Sequence, residues 1–148
     1  DKDIIRKYVL VKQGTDLQCS TIAQMTIAEY LKRYDIDKHI AKIVEVYRKR
    51  RNVAIESIER CFPDTIKFTR PEGGLFTWIE LPVGISARDV LVRSLEKKIA
   101  FVPGGSFYPN GNKENTLRIN YSNMPEEKIE KGLKTLGEVV KEYIRQSE

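Results

Sequence analysis

From Asp35 to Phe62 the apolar residues Ile36, Ile40, Ile43, Tyr47, Ala54 and Ile58 recur at three-, four- and seven-residue steps. At about 3.6 residues per turn, that spacing draws one stripe along a helix of about seven turns. Pro63 ends it, because proline lacks the N–H and its ring clashes with the preceding turn. After Pro63 the period changes. In "NTLRINYS" (115–122) Leu117, Ile119 and Tyr121 alternate with Thr116, Arg118, Asn120 and Ser122. That period of two belongs to a half-buried strand. A long amphipathic helix followed by alternating segments restricts the chain to helices packed on a sheet.

The remaining elements fill in that frame. Ile4, Ile5, Tyr8, Val9 and Val11 predict a first helix ending near Gly14. Ser20 is a candidate N-cap for a second, with Ile22, Met25, Ile27 and Leu31 as its main apolar positions. "IKFT" is a short strand candidate, "RPEGG" carries turn chemistry, and "LFTWIEL" is a strand rich in aromatic and branched residues. "PVGI" turns the chain, and Ser86 with Asp89 forms an S-x-x-D start for the helix "ARDVLVRSLEKK". "IAFVP" is another strand, and the loop "GGSFYPNGNKEN" leads into "TLRINYS". Pro125 suits a first helical position, with Glu126 and Glu127 at the positive end of the helix dipole. Met124 cannot cap that helix, which leaves Asn123 or no cap at all. Ile129, Leu133, Leu136, Val140 and Ile144 face inward up to about Arg145. The order is helices, then β-β-α-β-β, then a helix. The reading is an α+β fold: a small, largely antiparallel sheet covered by helices, with a long helix at about 35–62 and a C-terminal helix at about 125–145.

A length of 148 residues suits one domain with one core, and an apolar fraction of 41% in periodic segments argues against disorder. The net charge of +5 is spread among interleaved signs and does not call for nucleic acid. Cys19 and Cys61 match no metal or redox spacing, so a reduced, cytoplasmic setting is expected. No run approaches the roughly 20 apolar residues of a membrane span, and no signal peptide is legible. The opening "DKDIIRKYVLVKQ" is already in helical rhythm and has no initiating methionine. A piece of a larger protein is the expectation.

Few residues carry legible chemistry. Arg118 presents a planar fork of donors that matches a carboxylate, and a strand holds it better than a loop does. Asn120 and Ser122 stand where they could orient it or a ligand, although a solvent-facing arginine on an edge strand fits the spacing equally. In "VPGGSFYPNG" the glycines ahead of Ser106 and Phe107 let a ligand approach the backbone, or simply join two strands. In "PEGGLFTW", Phe76 and Trp78 share one face of a strand, and core packing is the expectation for both. Arg48, Lys49, Arg50 and Arg51 read as a solvated helix face or as partners for a further segment. His39, the single histidine, reads as a surface residue. No P-loop pattern, metal spacing or nucleophile–base–acid set is present in the sequence.

"RPEGGLFTWIELP", "IAFVPGGSFYPNG", "NTLRINYS" and "MPEEKIEKGLKTLGEVV" occur in that order and spacing. Together they resemble the C-terminal part of class I/II, fold type I aminotransferases dependent on pyridoxal phosphate (PLP), in the branch of the 2-aminoadipate and kynurenine enzymes. "KQGTDLQCSTIAQ" is similar to the segment that leaves the large domain of that family toward the dimer interface. The resemblance covers essentially the whole chain. It implies that 1–148 is the small domain, with 1–34 leaving an absent large PLP-binding domain. It implies that Arg118, in "LRINYS", pairs with the substrate α-carboxylate, that Phe107 walls the pocket, and that Asn120 lies beside the substrate. No catalytic or cofactor-binding residue of the family maps onto this chain, because the Schiff-base lysine lies upstream. The implied parent transfers an amino group between an amino acid and a 2-keto acid as a cytoplasmic homodimer in amino-acid metabolism. The fragment alone is then inactive and without PLP. Its partners are the upstream domain, the dimer mate and the two substrates, with no nucleic acid and no membrane. The alternative is the C-terminal part of a transcription regulator that fuses a DNA-binding segment to an aminotransferase-like, PLP-binding domain.

Overall fold

The computed structural model of the chain describes residues 1–111 and 113–147. It divides into two compact units, 1–42 and 43–148. The first carries α1 (Lys2–Thr15), α2 (Thr21–Arg33) and the start of α3 (Ile36–Cys61). Each helix begins on a side chain that satisfies orphan N–H groups. Asp1 accepts from the Asp3 N–H at 2.8 Å, Ser20 from Ala23 at 3.4 Å, and Asp35 from Asp37 and Lys38 at 3.1 Å. Neither α1 nor α2 buries a residue, and Ile4, Ile5, Tyr8, Ile22, Met25 and Leu31 all stand exposed.

The second unit holds the core. A four-stranded antiparallel sheet runs in the order β1-β2-β4-β3, from β1 (Lys67–Phe68), β2 (Phe76–Glu80), β3 (Val102–Pro103) and β4 (Thr116–Asn120). The α+β reading holds, with a sheet that is wholly antiparallel. The outer strands are only two residues each, shorter than "IKFT" and "IAFVP" suggest. Helix α4 (Ala87–Glu96) starts on Ser86, whose Oγ accepts the Asp89 N–H at 3.3 Å as the S-x-x-D pattern predicts. Helix α5 (Glu126–Ser147) starts where the Pro125 carbonyl accepts from Lys128 and Ile129 at 3.0 Å. No side-chain cap from Asn123 is found among the described residues.

Ala54, Ile58 and Phe62 from α3 and its end meet Ile79, Leu117, Ile119 and Tyr121 from the sheet. Val90 from α4 and Leu133, Leu136 and Val140 from α5 complete this layer. The helices therefore cover one face of the sheet, and the alternation of β4 decides which residues it buries. That alternation corrects the expectation for β2. Thr77 and Ile79 are its buried residues, at 1% and 0% exposure, whereas Phe76 and Trp78 point to the opposite face. The cationic run is also corrected in part. Arg48 pairs with Glu45 on its own helix, but Arg50 donates to the Ser122 carbonyl, and Arg51 donates to the Glu72 carbonyl at 2.8 Å. Two of the four cations thus tie α3 to the ends of β4 and β2.

Candidate functional site

The face of the sheet away from the core is built around Arg118. The register sets Arg118 beside Trp78 of β2 and Val102 of β3. Phe76, two residues before Trp78, shares this face because strand side chains alternate. The Arg118 guanidinium carbon lies 4.2 Å from the Phe76 ring centroid and 4.7 Å from that of Phe107. Two rings therefore flank one cation, each attracting it through its quadrupole. Among the described residues Arg118 makes no ion pair and no side-chain hydrogen bond, and its Nε is buried without a partner. A desolvated donor left unpaired is costly. The arrangement holds a rigid, permanently charged fork in place and leaves it to be matched by a planar anion.

Phe107 reaches Arg118 from the 3-10 turn Gly104–Phe107, which follows β3. Both glycines are buried, and Gly104 has a steric reason to be glycine. A Cβ on Gly104 would fall 2.1 Å from Thr116 Oγ1 and 2.7 Å from Trp78 Cζ2, whereas one on Gly105 would meet only the Glu114 carboxylate, a flexible side-chain end, at 2.6 Å. Gly104 thus lets the turn sit directly on the sheet. Trp78 meets Phe107 edge-on at 5.6 Å between centroids and Tyr108 at 6.2 Å.

Asn120 is exposed at the end of β4. Its Oδ1 accepts from the Ser122 N–H at 2.9 Å and the Ser122 hydroxyl at 3.0 Å. Together with the bond from Arg50 to the Ser122 carbonyl, this fixes the strand exit. The structure brings Arg118 and Phe107 together, and no described hydrogen bond joins Asn120 to them. On the core side, the Tyr121 hydroxyl donates to the Gly73 carbonyl at 3.2 Å. This anchors the turn that enters β2, where Gly74 has the left-handed φ of +82° that favours glycine. Burial pushes the Tyr121 phenol up, and the nearby Arg51 charge opposes it.

Phe76, Trp78 and Tyr108 are the members of this face that sequence reasoning missed. The signal was present: Thr77 and Ile79 carry the core parity of β2, which sends the aromatics the other way. Aromatic bulk masked it. No cluster of three or more His, Cys, Asp or Glu side chains suited to a metal occurs among the described residues. None of the described helices is long and apolar enough to cross a membrane.

The family model for aminotransferase class I and II matches residues 2–136. The chain is 40% identical over 141 residues to aromatic-amino-acid aminotransferase 1 of Thermococcus litoralis, covering 95% of this chain and 34% of that protein. The crystal structure of the α-aminoadipate aminotransferase LysN of Thermus thermophilus, complexed with N-(5'-phosphopyridoxyl)-L-leucine, superposes with a TM-score of 0.89. There the identity is 37%, over 99% of this chain and 37% of that one. At greater distance, the HTH-type transcriptional regulator YdfD of Bacillus subtilis is 28% identical, over 94% of this chain and 28% of its own. The chain spans about a third of the length of the aminotransferases it matches. The match over most of the chain, the shared fold and the identity to known transaminases agree: the chain belongs to the class I and II aminotransferases.

Proposed function

We propose that this chain is the C-terminal, substrate-clamping part of a PLP-dependent aminotransferase, and that Arg118 binds the α-carboxylate of the substrate. The observation that carries the reading is the Arg118 guanidinium, fixed on a strand between two rings with no carboxylate partner among the described residues. Amino acids and 2-keto acids differ at the α-carbon but share the carboxylate, so one fixed cation serves both halves of a transamination. Gripping that group bidentately sets the orientation of the α-carbon and its C–H bond. Phe107 walls the site beside the cation. Asn120 is the weaker contact: its Oδ1 is engaged by Ser122, so only its amide N–H groups are left to donate.

PLP, when bound, supplies the electron sink for breaking the Cα–H bond. Phe76 and Phe107, the residues in contact with Arg118, bring neither an amine nor a carboxylate. The immediate surroundings of Arg118 therefore suit the substrate carboxylate, and, on the resemblance to the family, we assign the Schiff-base lysine to a part of the parent outside 1–148. In this reading 1–34 leaves the large domain, and that domain and a dimer mate cover the apolar side chains exposed on α1 and α2. The parent is then a cytoplasmic enzyme, and the fragment alone is inactive. The likeness to YdfD supports a second reading, a DNA-binding transcription regulator with an aminotransferase-like, PLP-binding domain. The residues upstream decide between them: a basic helix-turn-helix segment favours the regulator.

The test is Arg118→Ala in the full-length parent, assayed with both an amino acid and a keto acid. Losing a charged hydrogen-bond partner costs about 1.5–3 kcal/mol, so KM for both rises at least about tenfold. Unchanged KM values in a folded variant would sink the assignment.

A further inference from the structure

The turn that carries Phe107 lies close on Thr116 through Gly104 and on Glu114 through Gly105, and neither of these neighbours is aromatic. Phe107 is 49% exposed, and the described hydrogen bonds of the turn are local to it, such as Tyr108 N–H to the Gly105 carbonyl at 3.2 Å. Besides Thr116 and Glu114, the turn touches one indole, which also meets the Phe107 ring. Trp78 lies under Gly104, where a Cβ would have 2.7–2.8 Å to its six-membered ring. It meets Phe107 at an interplanar angle of 76° and Tyr108 at 63°. The same Trp78 is the β2 register partner of Arg118. One side chain therefore contacts the turn at Gly104 and Phe107, and the residue after it, Tyr108, while its strand position is set against the cation.

We propose that Trp78 is a positioning residue for the carboxylate clamp: through its contacts with Gly104, Phe107 and Tyr108 it holds the 3-10 turn so that the Phe107 ring lies against Arg118. The inference rests on the reading of Arg118 as the carboxylate ligand. Trp78 itself touches no substrate in this scheme. It fixes one of the two rings that flank the guanidinium, and the Phe76 ring is already fixed by its own strand. Without the indole, Phe107 leaves the cation, the guanidinium gains water and rotamer freedom, and carboxylate binding weakens.

The experiment uses the full-length parent and propionate as the probe, a monocarboxylate with neither an amino nor a keto group. In Trp78→Ala the inhibition constant for propionate and the KM for the amino acid rise about three- to tenfold, the size expected for losing an edge-on aromatic pair. The kcat stays within about twofold, because the lost interaction serves substrate and transition state alike. Trp78→Phe recovers part of the loss. In a Phe107→Ala background the Trp78→Phe change has no further effect on propionate, since the two act as one unit. That cycle uses only mild substitutions and decides the matter even where Trp78→Ala does not fold. Unchanged propionate binding in folded Trp78→Ala, or additive effects in the cycle, would overturn the proposal. If Arg118→Ala also leaves propionate binding unchanged, the carboxylate reading itself is at fault. If Arg118→Ala weakens propionate and the Trp78 variants do not, only the positioning role falls.

Discussion

Helix α5 contains two glycines, Gly132 and Gly137, and the structure predicts opposite signs for replacing them with alanine. Gly137 is buried where α5 crosses the end of α3. A Cβ there would stand 2.5 Å from the Cys61 carbonyl oxygen and 2.9 Å from its carbon. Ordinary contact begins near 3.4 Å, so the two backbones would have to separate by about 0.9 Å. Neither side has a flexible side-chain end that could yield. Overpacking of this kind costs about 1–3 kcal/mol, and a clash against backbone belongs at the upper end. Against it stands the helix propensity gained on replacing glycine, about 1 kcal/mol. The net for Gly137→Ala is a loss of about 1–2 kcal/mol. At Gly132 the nearest atom to a Cβ is Ile99 Cδ1 at 3.6 Å, an ordinary contact. There only the propensity term acts, and Gly132→Ala gains up to about 1 kcal/mol. Urea unfolding followed by far-ultraviolet circular dichroism measures both, with midpoints compared at an unchanged slope. The variants move to opposite sides of the wild type and lie about 2–3 kcal/mol apart. Shifts of the same sign would refute the claim that close packing on Cys61, rather than helix propensity, dictates glycine at 137.

Two further predictions concern the frame of the site. Burial raises the Tyr121 phenol above its ordinary value of about 10, so the folded state binds its proton more tightly than the unfolded state does. That contribution is complete below about pH 10 and is lost as pH rises through the folded value. The stability of the wild type thus falls more steeply than that of Tyr121→Phe above about pH 10, as urea midpoints taken from about pH 8 to 11 will read. Tyr121→Phe is itself less stable at neutral pH by about 0.5–1.5 kcal/mol, because the bond to the Gly73 carbonyl is lost. Ser86→Ala removes the cap of α4 and costs about 1 kcal/mol, while Ser86→Asp, which keeps an acceptor, stays within a few tenths. Thermal melts of the two variants check the pair, and equal melting temperatures would count against the cap.

The elements were legible wherever a local rule decided them. The stripe of α3, its end at Pro63, the Ser20 and Ser86 caps and the alternation of β4 all follow from spacing and from orphan backbone groups. Arg118 could be singled out because a lone cation among small polar residues on a strand is chemically conspicuous. What it faces was not legible. Phe76 and Trp78 look like core residues by size, and the choice of face for β2 depends on its pairing with β4. Arg50 and Arg51 look like a solvated pair, and only the fold brings the Ser122 and Glu72 carbonyls, far off in sequence, to them.

The sequence by itself determined the order of helices and strands, the class of fold and a strand able to present a fixed cation. These depend on periodicity and on propensities that act over a few residues. The tertiary structure decided which face of the sheet the helices cover, and therefore that two rings flank Arg118 instead of filling the core. It also decided that Gly104 serves close packing on Thr116 and Trp78. Strand register and backbone approach join residues distant along the chain, and no local pattern encodes such distances.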